Sequence, residues 1–196
     1  MRYPTIKECL QWYVDQKTPD NIIKHVKVVR KVAVFLANEL KKKGIKINIK
    51  AVDRAALLHD LDKWISLNNK SIVHGKETER ILTEKGYPYL GFLAKQQRSD
   101  ILEKPYKTWE EKIVSYADKR VQQETIVSIQ QRIDYAIKRY NDISLEDRKK
   151  ELEYVLEIEK QIFDLLGYKP DDFKNKLNKK TYSIMTSSTI ISGPPL

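Results

Sequence analysis

The chain has 196 residues, 41% of them hydrophobic, which is enough for one packed core and too apolar for a disordered protein. One cysteine, Cys9, excludes an intramolecular disulfide and a cysteine-built zinc site, and no apolar run approaches the ~20 residues of a membrane span. With 37 Lys and Arg against 27 Asp and Glu the net charge is +10, which suits anionic partners, although the lysines are scattered along polar faces and their longest run is Lys41–Lys42–Lys43.

The N-terminal MRYPTIKECLQW lacks the apolar stretch of a signal peptide, so a reducing, cytoplasmic location is expected. Residues 4–16 read as a short entry helix. Asp20, after Thr18–Pro19, can cap a helix to about Lys43. Its Ile22, Ile23, Val26, Val29, Ala33, Leu36, Ala37 and Leu40 recur at three- and four-residue steps and make one buried face. Gly44 stops it. Asn48 can cap a helix carrying Val52, Ala55, Ala56, Leu57 and Leu58, whose alanines admit a close neighbour. A loop at Asn68–Asn69 precedes a helix from about His74 to Glu84, ended by Gly86. Pro88 restarts the chain toward Gln97. Thr108 and Glu111 form a capping-box pattern, Ser128 opens SIQQRIDYAIKRY, and Ser144 with Asp147 starts a long helix to Leu166 and Gly167. A last short helix is expected over 170–178. The only strand candidate is IKINI at 45–49. The fold class is therefore expected to be all-α, a single-domain helical bundle. The tail TYSIMTSSTIISGPPL, poor in charge and rich in Ser and Thr, is expected to be disordered or an extended arm.

Only three histidines occur, His25, His59 and His74. His25 lies on the apolar side of its helix. His59 ends the run AALL and is followed by Asp60. Asp118 ends a second apolar stretch, IVSYA, where a carboxylate is costly unless paired or bound to metal. Imidazoles and carboxylates together suit a divalent ion that lowers the pKa of a bound water and polarises a phosphoryl oxygen. Each residue alone has a plainer reading. A histidine on an apolar face is usually a hydrogen-bonded core residue, and Asp118 can pair with Lys119 or Arg120. The combination and its order point to a site.

The order His25 in NIIKHVKVV, His59–Asp60 in RAALLHDLDKW and Asp118 in VSYADKRV resembles the HD-domain metal-dependent phosphohydrolases. The likeness covers roughly residues 19–140. It is greatest to the small prokaryotic subgroup reading His-Asp-Ile-Gly-Lys, then a His-Gly helix, then Tyr-Ala-Asp-Lys, which HDLDK at 59–63, HGKETERIL at 74–82 and YADKRV at 116–121 match. The resemblance implies an HD-type bundle. Residues 1–18 would be an N-terminal helix packed on it, 19–140 the metal-binding core, 141–180 the helices completing the bundle and 181–196 a disordered tail. It makes His25, His59, Asp60 and Asp118 the ligands of one divalent ion (Mn, Fe, Co, Ni, Zn or Mg). Lys63 would meet substrate phosphate. His74 would bind phosphate, protonate a leaving group or touch a second metal. Asp60 or Asp62 would take the water's proton.

Two positions depart from the subgroup. Asp62 replaces its glycine, and pointing to solvent is the favoured expectation. Gln96 and Gln97 stand where many relatives carry histidines. That argues for one metal and leaves the glutamines to hydrogen-bond substrate. The implied function is a metal-dependent phosphohydrolase acting on a small phosphomonoester or nucleotide. The alternative is a catalytically weakened nucleotide sensor. A third reading, supported by the +10 charge alone, is a nucleic-acid-binding or RNA-processing accessory. Trp64, Tyr87, Tyr89 and Tyr106 are expected to serve packing rather than base stacking. The helix at 144–166 is expected to close the core, which leaves a homo-oligomer open. No membrane association is expected.

Overall fold

Thr5 and Glu8 reciprocally satisfy each other's backbone amides (Glu8 N to Thr5 Oγ1 3.1 Å, Thr5 N to Glu8 Oε2 2.6 Å) and so start helix α1, Ile6–Asp15. In the computed structural model, which describes residues 2–95, 106–139 and 144–179, the buried Tyr13 hydroxyl donates to the Leu57 carbonyl at 2.9 Å and ties α1 to the bundle. Helix α2, Asp20–Lys42, buries Ile22, Val26, Val29, Val32, Ala33, Phe35, Leu36, Ala37 and Leu40, an apolar stripe wide enough to touch helices on more than one side. It ends at Gly44 (φ +87°), where the Ile45 amide folds back onto the Leu40 carbonyl at 3.2 Å. Helix α3, Ile49–Leu58, is capped by Asn48 and packs along α2 with its small residues Ala51, Ala55 and Ala56 buried.

After α4, Lys63–Asn68, the pair α5, Lys76–Glu84, and α6, Pro88–Lys95, form a close hairpin. Helix α7, Trp109–Lys119, opens with the Thr108–Glu111 capping box and lies against both α2 and α3. A two-residue ladder, β1 Val121–Gln122 and β2 Thr125–Ile126, turns the chain into α8, Ile129–Arg139. Helix α9, Leu145–Leu166, is capped by Ser144 and stopped by the left-handed Gly167. A helical segment at 172–179 inserts Phe173 and Leu177 into the core. The described residues thus form one all-α domain with a single small hairpin. None of their helices is long and apolar enough to cross a membrane.

Two sequence expectations shift. IKINI is no strand: Ile47 is buried and Ile45 packs against the core while the segment turns into α3. The ladder lies at 121–126 instead, where two residues per strand are too few to show alternation. The helix expected from His74 starts at Lys76, because Gly75 (φ +87°) breaks it off and a carboxylate from outside, Asp62, receives its first amides. The expected tail at 181–196 lies outside the described residues.

The α5–α6 approach depends on missing side chains. A Cβ on Gly91 would lie 2.9 Å from the Glu79 carbonyl oxygen, on backbone that cannot swing away. Gly91→Ala is expected to destabilise the protein by about 1–3 kcal/mol, a fall of a few degrees in melting temperature that thermal circular dichroism reads. An unchanged melt would mean that the two helices separate freely.

Candidate functional site

Three helices bring their polar residues to one point. α2 supplies His25, the end of α3 supplies His59 with Asp60 in the following turn, and the last turn of α7 supplies Asp118. All four are mostly buried, His59 almost completely. The Nδ1 atoms face outward. His25 Nδ1 lies 2.9 Å from the Gln123 carbonyl of the hairpin, and His59 Nδ1 lies 2.9 Å from the Ala56 carbonyl one turn back. With each Nδ1–H donated to a carbonyl, both Nε2 atoms turn to the carboxylates. His25 Nε2 is 3.1 Å from Asp118 Oδ1 and 4.0 Å from Asp60 Oδ2, and His59 Nε2 is 3.5 and 3.7 Å from the same two residues. Lone pairs facing carboxylates repel, so this arrangement calls for protons on Nε2 or for a cation among the donors. Donor atoms of His25, His59 and Asp60 all lie within 4.8 Å of one another, a spacing that can hold a metal ion. His59 Nε2 is buried without a hydrogen-bond partner among the described residues.

The electrostatics follow from this geometry. Burial pushes the His59 imidazole down, yet Asp60 and Asp118 outweigh it and lift its pKa to about 9. Burial raises Asp60, but Lys63, His59 and His74 together hold it well below the usual carboxylate range. Asp118 is likewise lowered against its burial, chiefly by the hydrogen bond from His25 and by the nearby His59 imidazole and Lys119. Lys63 therefore sits close enough to act on Asp60. Lys119 extends the cluster outward, 3.8 Å from Asp118 Oδ2 and 2.9 Å from Glu151 Oε1. Arg120 does not pair with Asp118. It donates to the Val127 carbonyl, the Tyr116 hydroxyl and Glu159.

Asp62 reverses its sequence expectation. It is fully buried, not solvent-facing. Its carboxylate accepts from His74 Nδ1 at 2.6 Å, from the Gly75 amide at 2.7 Å and from the Thr78 amide at 3.0 Å. It thereby caps α5 and holds His74, whose Nε2 lies 3.1 Å from Asp60 Oδ1. The His74 pKa is pushed down by burial but raised overall by the bonds to Asp60 and Asp62. Gln96 and Gln97, expected at substrate, lie outside the described residues. Trp64, Tyr87 and Tyr89 pack against the core and Tyr106 is buried. Two contributors escaped the sequence reading. Tyr13, whose phenol is kept protonated by burial and by the charges of Asp60 and Asp62, is remote in sequence from both. Gln123 acts through its backbone, which no side-chain pattern reveals.

No family model and no solved structure matches the chain. A tRNA (cytidine(56)-2'-O)-methyltransferase of Picrophilus torridus is 29% identical over 161 residues, covering 74% of this chain and 45% of the relative. The chain thus spans less than half the length of that relative. The relative's named reaction moves a methyl group to a ribose oxygen, not water to phosphorus. This finding overturns the HD-domain assignment taken from the motifs. The phosphohydrolase activity, the nucleotide-sensor alternative, the divalent metal cofactor and the small phosphorylated substrate that were implied by it fall too. Physically, the motif order establishes which side chains meet at three helix ends. It does not establish what they turn over.

Two outcomes test this site. Asp62→Asn leaves one acceptor oxygen for the amides of Gly75 and Thr78 and sets its NH2 group against His74 Nδ1–H, and with the buried charge lost it is expected to cost about 2 kcal/mol in urea denaturation; a solvent-facing Asp62 would give less than about 0.5 kcal/mol. His59 has a folded pKa, about 9, above its ordinary value of 6.5, so its stabilisation is complete below 6.5 and lost as pH rises through about 9. With chelator present, stability is expected to fall by on the order of 3 kcal/mol between about pH 6 and 9.5, and His59→Gln should flatten that slope. A wild-type slope already flat would contradict the charged cluster.

Proposed function

We propose that this chain is an RNA-facing helical module that serves ribose methylation of tRNA, contributing recognition of the RNA. The observation that carries the reading is the 161-residue likeness to a tRNA 2'-O-methyltransferase. The net charge of +10 supports it, since neutralised phosphates supply most of the free energy of RNA binding. The all-helical architecture bears on the division of labour. The described residues include no parallel sheet, the element at whose strand ends α/β enzymes bind nucleotide-like cofactors. Methyl transfer also needs a site for an activated methyl donor of the S-adenosylmethionine kind, and the stretch matched here is 45% of the relative. The reading therefore gives the donor to a separate catalytic unit. It places the chain in the cytoplasm with the tRNA pool.

His25, His59, Asp60 and Asp118 are, in this proposal, the polar centre of the module. Lys63 at its edge offers a cation to an anionic oxygen of the RNA, and His74, with both ring nitrogens on Asp60 and Asp62, holds those carboxylates in place. The support is their convergence, with Lys63 acting on Asp60 and His74 bridging Asp60 and Asp62.

Fluorescence anisotropy with a labelled tRNA transcript across a salt series tests the binding. The affinity is expected to fall by 10³-fold or more between about 50 and 200 mM salt if some six phosphates are contacted. Absence of binding at low salt would contradict the module. In parallel, the chain alone is expected to transfer no label from S-adenosylmethionine to that tRNA. Transfer by the isolated chain would make it the catalyst instead.

A further inference from the structure

We propose that the groove between α1 and α5 is a slot for a single unpaired nucleobase; the inference rests on the RNA reading above and gives it a place of contact. The groove is open to solvent, offers about 410 Å³ and is lined by Trp12, Asp15, Gln16, Ile81, Glu84 and Lys85. That volume lies within the range of small-molecule sites. The walls combine three chemistries that a nucleotide needs together. The Trp12 indole and Ile81 offer an apolar, π-bearing surface. Gln16 offers a carbonyl oxygen, Oε1, that is buried and has no hydrogen-bond partner among the described residues. Lys85 offers an ammonium that lies 4.7 Å over the Trp12 ring.

A buried amide oxygen left without a donor costs about 1–3 kcal/mol. Turned toward the groove that Gln16 lines, this amide can accept an amino or imino N–H from the edge of a stacked base, which removes that cost. The backbone sets where the side chain starts. Gln16 is the C-cap of α1, and the chain turns away at Lys17 with φ +53°. Tyr87 supports the indole from the side, ring centroids 6.0 Å apart. Of the two acidic members of the wall, Glu84 is paired with a cation and so repels an RNA strand less, while Asp15 keeps its charge. Asp15 accepts from Gln11 Nε2 at 2.9 Å, and Glu84 accepts from Arg80. Lys85 covers the ring where the base would stack, so an entering base displaces it toward the phosphate of the same nucleotide. Lys17, next in the chain to Gln16, is exposed and adds a second cation on that side. The slot is separate from the His/Asp cluster. Lys85 follows the far end of α5 from Gly75, about 14 Å along the helix from Lys76.

The test uses the whole chain and three probes: a labelled single-stranded hexaadenylate, the same strand without bases, and a tRNA transcript. Trp12→Ala is expected to weaken hexaadenylate binding about 10-fold, Trp12→Phe to restore most of it, and Gln16→Leu to weaken it, each variant keeping the helical circular-dichroism spectrum of the folded protein at the assay temperature. Weaker binding of the abasic strand by wild type supports the slot. Equal binding of the two strands, or hexaadenylate binding unchanged in Trp12→Ala and Gln16→Leu, overturns it. Retained tRNA binding would then leave the RNA reading standing. Trp12-dependent binding of hexaadenylate with no binding of tRNA would support the slot and overturn the tRNA reading.

Discussion

Asp60 and Asp118 are carboxylates held in the interior where three helices meet, and each needs a positive or hydrogen-donating neighbour to be there at all. Their neighbours come from α2, the end of α3 and the segment before α5. Satisfying the two charges therefore fixes how these helices approach. His25 must reach across from α2, which requires α2 and α7 to pack side by side, and its outer nitrogen is held by the 121–126 hairpin. His59 must end α3 at the same depth. The small residues Ala51, Ala55 and Ala56 let α3 settle against its neighbours without pushing the imidazole out of reach. The same demand explains Asp62. Once Asp60 is engaged by His74, a second carboxylate is needed to hold the other side of that ring, and it doubles as the cap of α5.

Much of this was legible in the sequence because helix ends write themselves in residue types. Thr108 with Glu111, Asn48, Ser144 and Gly167 each act where their chemistry predicts. The apolar spacing of α2 gives its buried face directly. That His25, His59, Asp60 and Asp118 meet was suggested by their combination and motif order, since each alone had a plainer reading. Asp62 was not. A carboxylate beside an exposed-looking lysine reads as solvated, and only the return of the chain at Gly75 buries it. The hairpin escaped because two-residue strands carry no alternation. Tyr13 escaped because its hydroxyl acts 44 residues away in sequence.

Function was the least legible part. A cluster of imidazoles and carboxylates is a chemical capability shared by sites that hydrolyse, bind or merely hold helices together, and the motif order invited the first. The likeness to a tRNA methyltransferase over most of this chain redirects the reading to RNA. In the proposed reading, charge that looked like ordinary solvated lysine faces RNA phosphate, and the groove beside Trp12 is the slot proposed for a base. The cluster and the groove lie at opposite ends of α5, so one element connects the buried polar centre to the surface proposed to meet a base.

The most direct measurement of this account is a map of backbone amide shifts as the chain is titrated with a tRNA transcript at low salt. The account predicts shifts concentrated at the end of α1, along α5 and at neighbouring lysines, shrinking steeply as salt is added. A spectrum unchanged by equimolar tRNA would contradict it.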